Sequence, residues 1–223
     1  MKKKSERAVV IFGDKRFAQL AHFCLLHDSP CKVVGFAVDA AWRKADTFEG
    51  LPLVDFETLE RKYPPGEVKL LIPLGFQKLN GARRERYESA KARGYGFASY
   101  VSSRASVWPG LALGENCLIY EHAIVQPFST IGDNVTVRSG AHISHHCRVD
   151  SHAFISAEAV TAGGVHIGEQ AFIGVGAVLK EDLKIAPRSF IGAGAVVVRD
   201  TEEGAAYVGN PARKMAKPAQ DLC

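Results

Sequence analysis

From residue 101 onward the hydrophobic positions of the chain recur every six residues. Sixteen consecutive units run from Val101 to Val196 without an inserted or deleted residue, and Val, Ile or Leu opens every unit except the one that begins with Thr161. The fifth position is small or apolar throughout, as in Ala123, Cys147, Ala153, Val165 and Ala195. One aliphatic and one small inward residue per six is the pattern of a parallel β-helix, in which each hexapeptide forms one side of a triangular coil. Three units make a coil, so residues 18 apart stack at roughly 4.8 Å and the prism is about 25 Å long. Gly114, Gly132, Gly168, Gly174 and Gly192 all occupy the second position and are expected at the tight corners.

The first 98 residues lack this repeat and alternate between strand and helix patterns. Ala8 to Phe12, Lys32 to Val38 and Val68 to Leu74 are apolar runs that read as strands, ending at Gly13, Asp39 and Gly75. Phe17, Leu20, Ala21 and Cys24 form a helical stripe, Asp55 to Tyr63 reads as a short helix stopped by two prolines, and Asn80 to Arg93 reads as a charged helix capped by Asn80 and closed by Gly94. The order implies a small parallel sheet wound like half of a dinucleotide fold. The expected domains are therefore 1–98, an α/β domain; 99–205, a β-helix; and 206–223, a tail.

Composition narrows the class. The chain has 223 residues, 47% of them hydrophobic, and a formal charge of +4. That charge is modest and sits largely in Lys2, Lys3, Lys4 and the run Arg83, Arg84, Arg86, Lys91, Arg93, without interleaved aromatics, so solvated faces are expected and a nucleic-acid partner is not. No stretch is long enough to span a membrane, and no apolar segment follows the lysine-rich start. The five cysteines have no CxxC spacing and include two at inward repeat positions, which reads as reduced thiols in a cytoplasmic protein.

Two places carry candidate chemistry. Ligands of doubly wound sheets bind beyond the carboxyl ends of the strands, which puts Gly13, Asp39 and Gly75 on one rim. The loop Gly13, Asp14, Lys15, Arg16 leads into a helix N-terminus suited to phosphates. A GxGxxG fingerprint is absent, so a nucleotide head group is expected rather than a complete dinucleotide. Asp39 is a candidate for ribose or base, or a loop residue; Lys78, Asn80 and Arg83 are candidate sugar or phosphate contacts, Arg83 equally a solvated helix residue. The second place is the β-helix, where His142, His145, His146 and His152 fall within eleven residues. A metal cluster is the first alternative, but no two of these histidines have the five-residue spacing of the β-helical zinc enzymes, and no metal is expected. His145 and His146 take the third and fourth positions of their unit, facing outward at a corner, with Gly163 one coil above His145. Cys147 points inward and is expected in the core. Phe154, Phe172 and Phe190, 18 apart at the sixth position, should stack on one outer face and be buried by a neighbouring prism or by the C-terminal tail, or else wall a cofactor groove.

The segments AVVIFGDKRFAQLAHF, SGAHISHHCRVDSHAFIS, GGVHIGEQAFIGVGAV and YVGNPARKM together resemble the sialic-acid-O-acetyltransferase-like branch of the hexapeptide acyltransferases, which includes N-acetyltransferases of nucleotide-linked amino sugars. The resemblance covers nearly the whole chain. It implies a homotrimer of left-handed β-helices, acetyl-CoA in the groove between prisms, and the nucleotide sugar, an amino-dideoxy hexose for bacterial surface glycans such as lipopolysaccharide, held by the N-terminal domain. His145 falls on the family's general base, with His146 beside it, and the Gly163 N–H on the oxyanion donor. Phe154, Gly163, Gly164, Ala193, Gly194, Arg213 and Lys214 become expected acetyl-CoA contacts; Gly13, Asp14, Lys15, Asp39, Gly75, Lys78, Asn80, Arg83 and His142 become expected substrate contacts. The chain departs from the family where His146 stands in place of an acidic residue, where Phe154 stands in place of a histidine, and where GDKRF replaces a small, glycine- and histidine-rich turn. O-acetylation of a sialic acid or other hydroxyl, and a non-enzymatic β-helix scaffold, remain the alternative functions.

Overall fold

The computed structural model describes residues 7–222. They fall into two compact units, residues 7–75 with Glu85–Tyr100, and Phe76–Arg84 with residues 101–222.

The first unit is an α/β sheet. Its strands are β1 (Arg7–Phe12), β2 (Cys31–Val38), β3 (Thr47–Phe48), β4 (Leu51–Asp55), β5 (Lys69–Leu71) and β6 (Gly96–Phe97), in the order β3-β4-β2-β1-β5-β6. All neighbours are parallel except β3 and β4. Helix α1 (Arg16–Asp28) connects β1 to β2, and it buries Ala18, Ala21 and Leu25 rather than the expected Phe17, Leu20 and Cys24, which are half-buried. The expected helix at 55–63 is a 3₁₀ segment, Phe56–Arg61, with Thr58 out of helical geometry. Helix α2 (Gly81–Ala92) contains the boundary between the units and closes through Gly94, whose φ is +84°. The Asn80 side chain does not cap it: its amide oxygen makes no hydrogen bond, and its amide nitrogen donates to carbonyls of the β-helix.

The second unit is the parallel β-helix. Each strand is two residues long, the sixth position of one hexapeptide and the first of the next, and each pairs with the strand 18 residues on, as His142–Ile143 does with Val160–Thr161. Three sheets result, and the first- and fifth-position residues fill the interior as one continuous apolar column from Cys117 to Val197. Beyond the last coil, Ala206–Val208 adds a parallel strand to Phe190–Ile191, and Arg213–Lys214 returns antiparallel to it.

The corners are made differently from the sequence expectation. The left-handed backbone falls at the fourth position of every unit from Gly110 to Gly194, with φ between 54° and 86°. The second-position glycines have ordinary φ; they are required because the next coil passes so close that a methyl group on Gly114 would lie 2.6 Å from the Asp133 amide nitrogen.

The phenylalanines at 154, 172 and 190 stack with centroids 5.7 and 5.0 Å apart. Phe76, Leu79 and Ala219 cover the column, so the segment before α2 supplies most of the lid and the tail only one residue. Phe154 is 3% exposed. Its expected role as an acetyl-CoA contact is therefore corrected: a ring sealed beneath Phe76 and the Arg83 guanidinium, 5.5 Å from its centroid, has no face left for a cofactor.

Candidate functional site

The repeat delivers His145 and His146 to an exposed corner, at the third and fourth positions of the unit opened by Ile143. The turn is pinned from the coil below: the His145 N–H donates to Gln126 Oε1 at 3.0 Å and the His146 N–H to the Pro127 carbonyl at 3.2 Å. From the coil above, Thr161 Oγ1 accepts from the Ser144 N–H at 3.1 Å and lies 3.3 Å from Cys147 Sγ. The one unit start that breaks the aliphatic rule thus holds the residue before His145. That break was the sequence signal for Thr161, and its meaning required the coil geometry.

Gly163 sits against the imidazole of His145. A methyl group there would meet Cε1 at 2.5 Å, Nε2 at 3.0 Å and Nδ1 at 3.1 Å. The Gly164 N–H donates back to the His145 carbonyl at 3.0 Å, while the Gly163 N–H makes no hydrogen bond among the described residues. A ring nitrogen and an uncommitted amide donor therefore share one outward corner, the pairing that acyl transfer uses for its proton and its oxyanion. The Nδ1 atoms of His145 and His146 are 3.0 Å apart, and the His146 ring lies 4.8 Å from that of Phe128. His142, one strand position before the corner, is half-buried, and its Nε2 is enclosed without a hydrogen-bond partner. Cys147 is buried with its sulfur bonded inside the coil. Among the described residues no group of three His, Cys, Asp or Glu side chains is placed to hold a metal ion, and no helix is long and apolar enough to cross a membrane.

Of the other expected acetyl-CoA contacts, Ala193, Gly194 and Arg213 are exposed. Lys214 is exposed as well and is paired with Glu202 at 2.6 Å.

In the first unit the strand ends form the expected rim. Parallel pairing of Phe12 with Ala37 sets Gly13 and Asp39 on the same edge, and the Gly13 N–H donates to the Ala37 carbonyl at 2.7 Å. Gly13 has φ +116°, Asp14 is half-buried and Lys15 is exposed. Asp39 is not a free acceptor: Arg86 donates Nε and Nη2 to its two oxygens at 2.9 and 2.7 Å. Arg86 was not singled out from the sequence, where it is one of many charges on a helix. A cleft of about 740 Å³ lined by His22, Leu26, Cys31, Lys32 and Leu51 lies at the amino ends of the strands, away from this rim.

The four expected substrate contacts from the segment after β5 divide. Gly75 is buried, and Lys78 is exposed with φ +54°. Asn80 and Arg83 are corrected to structural residues of the β-helix unit, 0% and 1% exposed. The Asn80 amide donates to the Gln170 and Ala171 carbonyls at 3.1 and 3.2 Å. Arg83 donates to the His152 and Ala153 carbonyls at 2.9 and 3.1 Å and to Thr136 Oγ1. Burial lowers the Arg83 guanidinium to about 10. The Asn80 amide nitrogen and the Arg83 Nη atoms satisfy strand groups on the phenylalanine face, and Asn80 Oδ1 and Arg83 Nε are enclosed there without a partner, so none is exposed to a ligand.

The stacked hexapeptide coils with their outward histidine corner resemble the repeats of bacterial hexapeptide transferases. The family model described as Bacterial transferase hexapeptide (six repeats) matches residues 110–145. The sequence matches none of the curated proteins. Among solved structures, the chain is similar to PerB from Caulobacter crescentus, crystallised with CoA and GDP-perosamine, with 27% identity over 94% of this chain and 97% of that one and a TM-score of 0.84. It is similar to the acetyltransferase domain of PglB from Neisseria gonorrhoeae FA1090, with 25% identity over 94% of this chain and 100% of that one and a TM-score of 0.82. WeeI from Acinetobacter baumannii AYE shares the fold at 22% identity, over 94% of this chain and 100% of that one, with a TM-score of 0.83.

Proposed function

We propose that the protein is an acetyl-CoA-dependent N-acetyltransferase of a nucleotide-linked amino sugar, with His145 as general base. The observation that carries the reading is the corner at which the His145 imidazole rests on Gly163, whose N–H is uncommitted. The likeness to PerB and to the PglB acetyltransferase domain, spanning both units of the chain, supports the substrate class.

In the proposed reaction the sugar amine attacks the thioester carbonyl and a nitrogen–carbon bond forms. Nε2 of His145 accepts the amine proton, and the Gly163 N–H donates to the oxygen as it gains negative charge. Collapse of the tetrahedral species breaks the carbon–sulfur bond, and the CoA sulfur takes the proton from His145. The products are the N-acetyl sugar and free CoA thiol. Ala193 and Gly194 would line the pantetheine arm, and Arg213 would meet the CoA phosphates. Lys214 would exchange a surface ion pair with Glu202 for the same anion at little cost. The rim of Gly13, Asp14, Lys15 and Asp39 would take the nucleotide. The proposal includes a homotrimer of left-handed prisms acting in the cytoplasm on precursors of surface glycans.

Release of CoA thiol from acetyl-CoA, measured with GDP-, UDP- and dTDP-linked amino sugars and with free sialic acids, tests the reading. Transfer to an amino sugar that is lost in His145→Ala supports it. Transfer to sialic acid alone would establish the hydroxyl reading instead, and an H145A variant with full activity would overturn the assignment of the base.

A further inference from the structure

The contact between the two corner histidines is more specific than adjacency in sequence requires. Their Nδ1 atoms approach to 3.0 Å with the rings at 85°. Two imidazole nitrogens at that distance share one proton: one must donate and the other accept. His146 is itself fixed, by its left-handed φ of 58°, by its N–H on the Pro127 carbonyl, and by the Phe128 ring against its face.

We infer that His146 is the positioning residue of the catalytic corner and that it sets the tautomer of His145. Given the acetyl-transfer reading on which this rests, the base must present an unprotonated Nε2, so its own proton resides on Nδ1. His146 Nδ1 is the acceptor for that proton, and the His146 proton resides on Nε2. The same bond stops the His145 ring from flipping, and so keeps Nε2 beside Gly163. When Nε2 takes up the substrate proton, the Nδ1–H of the resulting imidazolium donates to a neutral partner, and the bond becomes charge-assisted. A neutral imidazole thus orients the base at a place where a carboxylate would add a full negative charge.

Two substitutions separate positioning from folding. His146→Gly removes the acceptor at a corner where the repeat elsewhere uses glycine, as at Gly140, Gly164 and Gly176. His146→Asn keeps an acceptor, Oδ1, near the position of Nδ1 on a residue that tolerates left-handed backbone. Long-range proton–nitrogen NMR of the imidazoles reads the tautomer directly and needs no substrate. The wild-type protein should show His145 protonated at Nδ1, H146G should shift the proton toward Nε2, and H146N should restore the wild-type pattern. With the acceptor sugar, H146G should lower kcat about 10- to 100-fold with little change in KM, and H146N should recover most of it. A wild-type spectrum with the His145 proton on Nε2, or an H146G enzyme with unaltered spectrum and kcat, overturns the inference. If the wild-type protein transferred no acetyl group, the functional reading would fall while the spectrum still decided the tautomer.

Discussion

Gly163→Ala puts a methyl group into the space now taken by the His145 ring. Its carbon would stand 2.5 Å from Cε1, and both ring nitrogens would be within 3.1 Å. Ordinary carbon contacts settle at about 3.5–4.0 Å, so the imidazole must withdraw by about 1 Å. The backbone does not resist the change, because Gly163 lies outside the left-handed region. A reacting group displaced by about 1 Å costs on the order of 100-fold in rate, equivalent to about 2.7 kcal/mol of transition-state stabilisation. G163A should therefore lose about 100-fold in kcat, measured as CoA thiol release, while its thermal midpoint stays at or slightly above that of the wild type. Gly164→Ala is the internal contrast. There φ is +72°, so the penalty falls on folding, by about 1–2 kcal/mol. A G163A enzyme with kcat within twofold of wild type would refute the placement of His145, and a collapse of its melting temperature would refute the claim that Gly163 serves the ring rather than the chain.

Thr161→Val preserves shape but leaves the Ser144 N–H without its acceptor. It should cost about 1–3 kcal/mol by chemical denaturation and also reduce kcat, because Ser144 carries His145; unchanged stability would show that this bond is dispensable. Arg83→Ala removes the donors to the His152 and Ala153 carbonyls and opens a void beside Phe154, and should destabilise by about 3 kcal/mol in the same assay without raising KM for the sugar. A selective rise in KM would return Arg83 to the substrate site. Burial pushes the Cys117 thiol up from 9.0 to about 12. Between those values the unfolded chain ionises first and holds fewer protons than the folded one, so this group makes stability fall as pH rises above 9.0, by at most about 1.4 kcal/mol per pH unit. Cys117→Ala should flatten the alkaline side of a stability–pH curve, and an identical slope in both proteins would contradict the burial account.

The β-helix was legible because its period of six outlasts any local irregularity, so Ile143, Cys147 and Thr161 could be set inward and His145 outward from position alone. The contact at the corner was legible for the same reason: 18 residues separate His145 from Gly163, and stacking brings them together. The fine structure was not. Left-handed φ falls on Asn134, His146 and Asp182 as readily as on Gly164, so glycine content pointed to the wrong repeat position. The sheet strand β4 escaped notice because Pro52 interrupts its run; proline is tolerated there since its antiparallel neighbour β3 is a two-residue edge strand. Asn80 and Arg83 look like any polar residues at the start of a charged helix, and only the packing of 76–84 over the phenylalanine column explains their burial. The Asp39–Arg86 pair depends on residues 47 apart with no repeat to relate them.

The central claim, that this corner joins an acetyl group to a sugar nitrogen, is tested most directly by the product. The protein is incubated with isotopically labelled acetyl-CoA and the nucleotide-linked amino sugar that supports thiol release, and the sugar is examined by mass spectrometry before and after hydroxylamine treatment. The account predicts a labelled acetyl group that survives hydroxylamine, as an amide does, and that is absent when His145→Ala replaces the wild-type protein. A hydroxylamine-labile label, or an undiminished label with H145A, would contradict it.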